Sequence, residues 1–378
     1  MLDSRKLPVV ALLWTQFSPY HIDRCEAVVA NIDGKATVLA CEVATSSTTY
    51  AWSPSGVVSG AQKVTLFPGQ SYQSVGRWKQ LKALYLTLRA ANAVFVGISY
   101  AEPEIVALTW LLRLAGKRVY MMTESKFDDR PRRIELEIIK PLIFAAYHGA
   151  LVGGRRQAEY VKFLGYRKRR VVEGYDCVGL DRVRRLGAHP PAPAGPAFEE
   201  RPFVFVARFV AKKNLLTLLD AYERYASMCH QPRRLILVGG GELEPQVQAR
   251  LAGSPIEALV DRPGFLQADG VAQTLSGALT LILPSLEEQW GLVVNEALAF
   301  NLPIILSENV GSRDTLVANL VNGYVVESGS IEGFAQAMLA MGADETLWRR
   351  MVEESGKRAH LGDAPRFGEA VAALLELE

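Results

Sequence analysis

The sequence predicts two doubly wound α/β domains in tandem, and three observations support this fold class. The chain has 378 residues, which is longer than one hydrophobic core ordinarily serves. Short apolar or β-branched runs alternate with longer amphipathic stretches, the pattern of α/β units around a parallel sheet. Residues 187–200, dense in proline and alanine, interrupt this alternation before it starts again.

The predicted strands form two groups on either side of that segment. The first group is 9–14, 36–43, 64–67, 93–98, 118–123, 150–154 and 171–176. The second group is 203–208, 234–240, 279–285, 303–308 and 323–327. We therefore assign residues 1–186 to an N-terminal domain, 187–200 to a linker and 201–360 to a second domain. Because ligands bind at the carboxyl ends of parallel strands, we expect the site in a cleft between the domains.

The composition is that of a globular enzyme, with 49% apolar and 22% charged residues. Its four cysteines have no metal-ligand spacing and indicate reduced thiols of a cytoplasmic protein. The apolar run near the N-terminus is too short for a membrane span, and no later run reaches the required length of about 18 residues.

Charge is distributed unevenly along a chain whose net charge is only +2. Residues 1–186 hold 27 Lys or Arg and 16 Asp or Glu, whereas the remainder holds 15 and 24. The basic excess fits either solvated helix faces or attraction to an anionic acceptor or membrane surface. Peripheral contact with the inner membrane face is therefore a further expectation. No recognition motif accompanies the charge, so nucleic acid is not an expected partner. The densest basic cluster is Arg167, Lys168, Arg169 and Arg170.

Two predicted strands of the second half end in loops suited to a ligand. Arg208 ends the first strand and Lys213 follows five residues later, which suits a phosphate clamp or ordinary loop charge. The next strand runs into three glycines, but Glu244 stands where a dinucleotide fingerprint needs its last glycine. We interpret Gly240 and its neighbours as backbone room beside a ligand. Phe265 and Leu266 then form a short turn that can flank a nucleobase.

The segment PSLEEQWGLVVNEALAF, residues 284–300, carries two glutamates eight residues apart, Glu288 and Glu296. By themselves they could be a surface charge and a helix-capping acid, since carboxylates near a helix N-terminus are mildly favourable. Taken in order with R-x4-K, VGGGE and the Gly264 turn, the segment resembles the second domain of the retaining glycosyltransferases of family four. Those enzymes have the GT-B fold, two Rossmann-like domains, and an E-x7-E signature that Glu288 and Glu296 match.

The resemblance implies a donor site on the second domain. Arg208 and Lys213 would hold the diphosphate of a nucleotide sugar, Glu288 would address the transferred sugar, and Glu296 would bind the ribose. It implies no metal and no cofactor beyond this donor. The remaining residues implied at the site are Gly240, Phe265, Leu266, Gln289, Trp290, Gly291 and Leu292.

The N-terminal half departs from the family pattern. Its first strand–helix loop lacks the two glycines of many members, and Glu124 lies near the place where many members have a histidine. His21 and Glu124 are the candidate catalytic substitutes, with helix capping and packing as the alternative. The turn at 173–183 resembles the one that closes the family's first domain. In GT-B proteins the last helix crosses back to that domain, which predicts this role for 361–378.

The reaction implied is transfer of a sugar, with retention, from a nucleotide sugar to an acceptor hydroxyl. The expected settings are cell-surface polysaccharide or glycolipid assembly and natural-product glycosylation, with an anionic or lipid-linked acceptor. Positioning and stabilisation of the leaving diphosphate would supply most of the catalysis. The alternatives are a nucleotide-sugar epimerase or phosphorylase, a dehydrogenase, and a non-catalytic sugar-nucleotide or glycan-binding module.

Overall fold

The computed structural model describes residues 7–48, 56–129 and 131–376. The chain divides into two compact units. Unit 1 contains the chain up to Phe127, Pro131–Gly179 and the chain from Ala364 onward. Unit 2 contains Leu180–Asp363 together with residues 128–129.

Unit 1 is built on a parallel sheet, with seven strands among its described residues. The strands are β1 (Val9–Trp14), β2 (Thr37–Ser46), β3 (Gln62–Ser71), β4 (Ala93–Val96), β5 (Arg118–Thr123), β6 (Gly149–Val152) and β7 (Arg170–Glu173). The helices are α1 (Pro19–Ile32), α2 (Arg77–Leu88), α3 (Pro103–Leu114), α4 (Ile134–Phe144), α5 (Arg155–Phe163) and the C-terminal helix (Ala364–Leu375). Separate apolar cores cover the two faces of the sheet, which explains why its central strands are almost uninterrupted apolar runs.

Unit 2 is built on a second parallel sheet, with six strands among its described residues. The strands are β8 (Phe203–Val206), β9 (Leu235–Val238), β10 (Val260–Gly264), β11 (Thr280–Leu283), β12 (Ile304–Ser307) and β13 (Gly323–Val326). The helices are α6 (Leu180–Leu186), α7 (Leu215–Met228), α8 (Glu244–Leu251), α9 (Ala268–Ser276), α10 (Leu292–Ala299), α11 (Arg313–Leu316), α12 (Ile331–Ala343) and α13 (Glu345–Arg358); we number the C-terminal helix α14.

The two sheets share one topology. Their strand orders are β3-β2-β1-β4-β5-β6-β7 and β10-β9-β8-β11-β12-β13. Each sheet therefore has a switch point, between β1 and β4 in unit 1 and between β8 and β11 in unit 2. At such a point the loops leave in opposite directions and open a crevice at the carboxyl ends of the strands.

Strand β10 is absent from the sequence-predicted strands because Pro263 lies within it. Proline cannot donate a hydrogen bond to a sheet ladder and therefore argues against a central strand. In the structure β10 is an edge strand and, within the described part of the chain, has β9 as its one neighbour, so Pro263 is tolerated there.

The boundary between the units lies earlier than the sequence predicts. The chain enters unit 2 at Leu180 rather than after residue 186. The reason is that α6 packs against α9 and α10 of unit 2. Arg184 strengthens this attachment, since its Nε donates a hydrogen bond of 2.9 Å to the carbonyl oxygen of Ala299.

Residues 187–200, expected to be a linker, are fixed to unit 2. The backbone N–H groups of Ala188 and His189 donate to Ser276 Oγ at 3.0 and 3.2 Å. The N–H of Ala192 donates to the carbonyl oxygen of Phe300 at 3.0 Å. The proline-rich composition of this segment therefore belongs to a stiff stretch held against unit 2, and not to a free linker. The chain returns to unit 1 at Ala364, three residues later than predicted, and α14 then packs against α1.

Candidate functional site

An ion pair between Lys213 and Glu288 lies at the switch point of unit 2. Lys213 follows β8 in a short 3-10 turn, and Glu288 follows β11. Their side chains are only 12% and 15% exposed. Ser285 also donates to Glu288 Oε2, at 3.3 Å. The structure thus brings together two residues that the sequence separates by 75 positions.

Asn214 fixes the loop that carries Lys213. Its backbone is in the left-handed region, with φ of 58°, which asparagine tolerates better than most residues. Its Nδ2 donates to the carbonyl oxygens of Pro284, at 3.2 Å, and Ser328, at 2.7 Å. Sequence reasoning missed Asn214. The signal available was an asparagine directly before an apolar helical run.

Gly291 allows the chain to turn from Glu288 into α10. Its φ is 92°, and a Cβ atom there would lie 3.0 Å from Leu283 Cδ2. The N–H groups of Gly311 and Ser312 donate to the carbonyl oxygens of Glu288 and Trp290, which anchors this turn. Helix α10 then starts at Leu292. The first N–H groups of any helix have no partner within it and carry partial positive charge, so the start of α10 is suited to an anion.

Glu296 lies on the second turn of α10 and is buried, with 7% exposure. Trp290 is also buried, and its indole N–H donates to Asn295 Oδ1 at 2.9 Å. Asn295 in turn donates to the carbonyl oxygen of Gly362 at 3.0 Å. The structure therefore gives the Trp290 side chain a packing role beneath α10, while Gln289 is exposed beside it.

The glycines after β9 have tightly restricted backbones. Gly239 has a φ of 142°, and a Cβ atom there would lie 1.9 Å from the carbonyl oxygen of Ala207. Gly241 has a φ of 154° and faces the carbonyl oxygen of Phe209. No heavy atom lies within 4 Å of a Cβ built at Gly240, so open space beside the backbone is found there. The sequence predicted such space at this residue.

Loops after neighbouring strands carry the other predicted donor-site residues. Arg208 is exposed, and the next residue, Phe209, donates its N–H to the carbonyl oxygen of Gly240 at 2.9 Å. Phe265 follows β10 and is 61% exposed, whereas Leu266 is half-buried. These side chains belong to loops at the carboxyl edge of one sheet, as do Lys213 and Glu288.

His21, a predicted catalytic residue, caps α1 and packs into unit 1. Its Nδ1 accepts the backbone N–H of Ser18 at 2.9 Å, which places the ring proton of the neutral form on Nε2. The ring lies against Trp14 and Phe17, with centroid distances of 4.7 and 5.8 Å. Burial, and secondarily the charge of Arg24, hold the pKa of His21 well below its usual value. The structure therefore supplies the capping and packing role that the sequence left as an alternative.

Glu124, the other predicted catalytic residue, acts on the charge state of Asp176 in unit 1. Burial and then the Glu124 carboxylate raise the pKa of Asp176 well above its usual value. Arg24 partly offsets this effect, with its NH2 nitrogen 3.6 Å from Asp176 Oδ1. Arg24 Nε also donates to the carbonyl oxygen of Cys177 at 2.9 Å. Sequence reasoning assigned no role to Asp176, although it lies in the turn compared with the family's first-domain boundary.

Comparison with known proteins identifies the domain that carries the Lys213–Glu288 pair. Residues 193–358 match the family model described as "Glycosyl transferases group 1". This segment, here called the group 1 domain, is similar to the glycosyltransferases that the family model describes. This confirms the resemblance that the ordered motifs of the second half indicate.

The relatives of the group 1 domain include an alpha-glucosyltransferase and a lipopolysaccharide core biosynthesis glycosyltransferase. The chain is 25% identical over 177 residues to the poly(glycerol-phosphate) alpha-glucosyltransferase of Bacillus subtilis (strain 168), covering 47% of this chain and 26% of that protein. It is 27% identical over 199 residues to the lipopolysaccharide core biosynthesis glycosyltransferase LpsE of Rhizobium meliloti (strain 1021), covering 52% and 54%. The chain thus spans about a quarter to a half of these relatives' lengths.

A solved structure extends the similarity in fold beyond the group 1 domain. HepE of Anabaena, crystallised in complex with UDP, has a TM-score of 0.72 with 14% identity, covering 98% of this chain and all of that one. The two parallel sheets, each with its own helices, and this similarity together show the GT-B fold. Among the described residues, no helix combines the length and apolar character that crossing a bilayer requires.

Proposed function

We propose that this protein transfers a sugar from a nucleotide sugar to an acceptor hydroxyl, with retention at the anomeric carbon. The Lys213–Glu288 pair at the switch point of the group 1 domain carries the proposal. A cation and a carboxylate in contact there can hold an anionic leaving group and a hydroxyl-rich sugar side by side. HepE, which shares the fold, was crystallised with UDP, so uracil is the first base to test.

The proposed mechanism relies on stabilising the leaving diphosphate. Lys213, the exposed Arg208 and the first N–H groups of α10 would share the charge that develops on it. A diphosphate bound to Lys213 must share that ammonium with Glu288, so the phosphate and the glutamate compete for one cation. Glu288 is then available to accept hydrogen bonds from hydroxyls of the transferred sugar.

We propose that no metal ion is required, because these cations and the helix N-terminus can balance the diphosphate charge. Among residues 7–48, 56–129 and 131–376, no group of three or more His, Cys, Asp or Glu is arranged as a metal site. Transfer that persists in the presence of a chelator would support metal independence, and its loss with recovery on adding Mg²⁺ would contradict it.

We further propose that the acceptor is anionic or lipid-linked. The relatives named above act on poly(glycerol phosphate) and in lipopolysaccharide core synthesis, and residues 1–186, most of which belong to unit 1, hold the basic excess of the chain. Polysaccharide or glycolipid assembly is therefore the proposed setting.

The first test is a thermal-shift screen against UDP, GDP, ADP, CDP and TDP. A nucleotide present at about 100 times its Kd stabilises the folded form by about 2.7 kcal/mol, so one clear winner would identify the base. Turnover of the matching nucleotide sugar without any acceptor would favour the epimerase. Binding without transfer to any acceptor would favour the non-catalytic module.

The site itself is tested by a matched pair of lysine variants. Lys213→Gln should weaken nucleoside diphosphate binding by about 10- to 100-fold, the value of one charge-assisted hydrogen bond. Lys212→Gln removes the same charge from the neighbouring, exposed lysine and should leave binding nearly unchanged. Equal affinities of the two variants, measured by calorimetric titration, would place the diphosphate elsewhere.

A further inference from the structure

An apolar surface projects from α4 in unit 1. Five large aliphatic side chains of this eleven-residue helix are exposed, by between 48% and 74% of their area. Phe163, at the end of α5, continues the surface and is 59% exposed. Contiguous exposed apolar surface of this kind marks a site of contact with a protein or a membrane. The surface consists of Ile134, Leu136, Ile138, Ile139, Leu142 and Phe163, here called the α4 surface.

The polar contacts of α4 are directed into the protein instead of toward solvent. Lys140 is buried, and its Nζ donates to Glu137 Oε1 and Tyr160 Oη, both at 2.6 Å. Tyr160 Oη donates to Glu137 Oε2 at 2.7 Å. Glu137, Lys140 and the buried Phe144 recur at helical spacing and form the inward stripe. An ordinary surface helix has the opposite arrangement, with its apolar stripe inward.

The α4 surface borders a groove between α4 and α5. The groove has a volume of about 380 Å³ and is lined by Ile134, Ile138 and Phe163 among others. Phe127 also lines the groove, with its ring centroid 5.2 Å from that of Phe163 on α5. The groove and the α4 surface are therefore one continuous apolar region.

Basic residues surround this apolar region. Residues 132–170 hold ten Lys or Arg and three Glu. Exposed Lys162 is adjacent to Phe163, and exposed Arg167 and Lys168 follow the same helix. Pro141 of α4 lies 3.9 Å from a Cβ built at Gly165, which places this basic turn beside α4.

The four consecutive basic residues of the sequence do not act as one cluster. Arg169 NH1 donates to the carbonyl oxygens of Phe144 and Tyr147 at 2.8 and 2.7 Å, so its charge serves the fold. Arg170 NH1 lies 3.5 Å from Glu376 Oε1. Arg167 and Lys168 are the members of the cluster directed to solvent beside the α4 surface.

We propose that the α4 surface docks on an anionic lipid bilayer, with α4 lying in the interface. Exposed aliphatic side chains on a short helix would enter the acyl boundary, while neighbouring lysines and arginines would face anionic headgroups. The basic excess around the patch favours this partner over a second copy of the chain, which would bring like charges together. The inference extends the proposed function, because a lipid-linked acceptor would lie in the same bilayer.

Vesicle co-sedimentation tests the apolar half of the proposal. The full chain should bind vesicles of phosphatidylglycerol and phosphatidylcholine in equal parts, and bind phosphatidylcholine alone far more weakly. The triple variant Ile134→Ser, Ile138→Ser, Leu142→Ser should lower the partition coefficient by at least about tenfold. Leu142→Ser should weaken binding measurably, whereas Leu114→Ser, at a leucine of similar exposure on α3, should change it by less than about twofold.

The charged half is tested with a matched pair of double variants. Arg167→Ser, Lys168→Ser should weaken vesicle binding at low salt and reduce its dependence on salt. Lys82→Ser, Arg89→Ser removes two exposed charges at and just after α2 and should have the smaller effect. Equal losses in the two doubles would show that net charge, and not this surface, governs binding.

Equal vesicle binding by the triple variant and the parent would overturn the proposal. A parent that is dimeric by light scattering, with a monomeric triple variant and unchanged vesicle binding, would assign the surface to a second copy instead. A cooperative thermal unfolding transition without nucleotide checks that the triple variant is folded. Failure of the nucleotide thermal shift in the parent would count against the proposed function alone and would leave the vesicle result interpretable.

Discussion

Both units contain the same switch point, yet they use it differently. In unit 2 the loops after β8 and β11 meet through Lys213 and Glu288, and glycines and Asn214 hold the loops in shape. In unit 1 the loop after β1 leads into His21, whose ring caps α1 and packs on two aromatic rings. Topology therefore provides the location of a site, while local backbone conformation and burial decide whether polar groups face a ligand or the core.

The electrostatics differ in the same way. The predicted catalytic residues of unit 1 lie among buried groups, where burial depresses the pKa of His21 and raises that of Asp176. Both shifts disfavour charge. In unit 2, the pair at the switch point holds its two charges in direct contact. We therefore expect substitutions at the switch point of unit 1 to change the stability of the protein. Substitutions at the switch point of unit 2 should change its affinity for the ligand.

The largest expected effect comes from the backbone that shapes the unit 2 site. Gly239→Ala should lower the free energy of unfolding by at least about 3 kcal/mol, because left-handed strain adds to a clash with the Ala207 carbonyl oxygen. Gly240→Ala, one residue later in open space, should change it by less than about 0.5 kcal/mol. Denaturant unfolding that gave equal losses would show that the loop rearranges freely.

The two glutamates of unit 2 should separate binding from transfer. Glu296→Gln is expected to weaken nucleoside diphosphate binding by about 10- to 100-fold, through loss of charge-assisted hydrogen bonds to the ribose diol. Glu288→Gln should at least keep that affinity, because it frees Lys213 for the diphosphate, and should lower sugar transfer. The control Glu287→Gln changes an exposed neighbour and should affect neither.

Calorimetric titration and a transfer assay check this pair. Loss of nucleotide binding in Glu288→Gln with retention in Glu296→Gln would reverse the two roles. Negligible effects in both variants would mean that Glu288 and Glu296 are only a surface charge and a helix-capping acid.

The smallest expected effect on nucleotide binding lies in unit 1. His21→Ala should cost about 2–3 kcal/mol in the free energy of unfolding, since the Ser18 N–H loses its acceptor and the buried ring leaves a cavity beside Trp14 and Phe17, and should leave nucleotide binding unchanged. His230→Ala alters an exposed histidine and should be neutral. If thermal unfolding is unchanged while transfer falls sharply, His21 acts in catalysis and the contrast between the units fails.

Sequence alone predicts the α/β class, twelve of the thirteen strands of the described residues, and the ordered motifs of the second half. These follow from local signals: apolar periodicity, glycines after strands, and charged residues at fixed spacing. The edge strand β10 was missed because proline counts against a strand in sequence, whereas edge position is a property of the assembled sheet.

The contacts between polar residues, by contrast, depend on how distant segments pack. Lys213 and Glu288 are far apart in sequence, and their contact depends on β8 and β11 being neighbours in the sheet. The attachment of residues 187–200 to unit 2 and the inward direction of Arg169 likewise depend on distant backbone carbonyl and hydroxyl oxygens. The physical reason is that composition and spacing report local preference, whereas burial and hydrogen-bond partners are set by packing between segments remote in sequence.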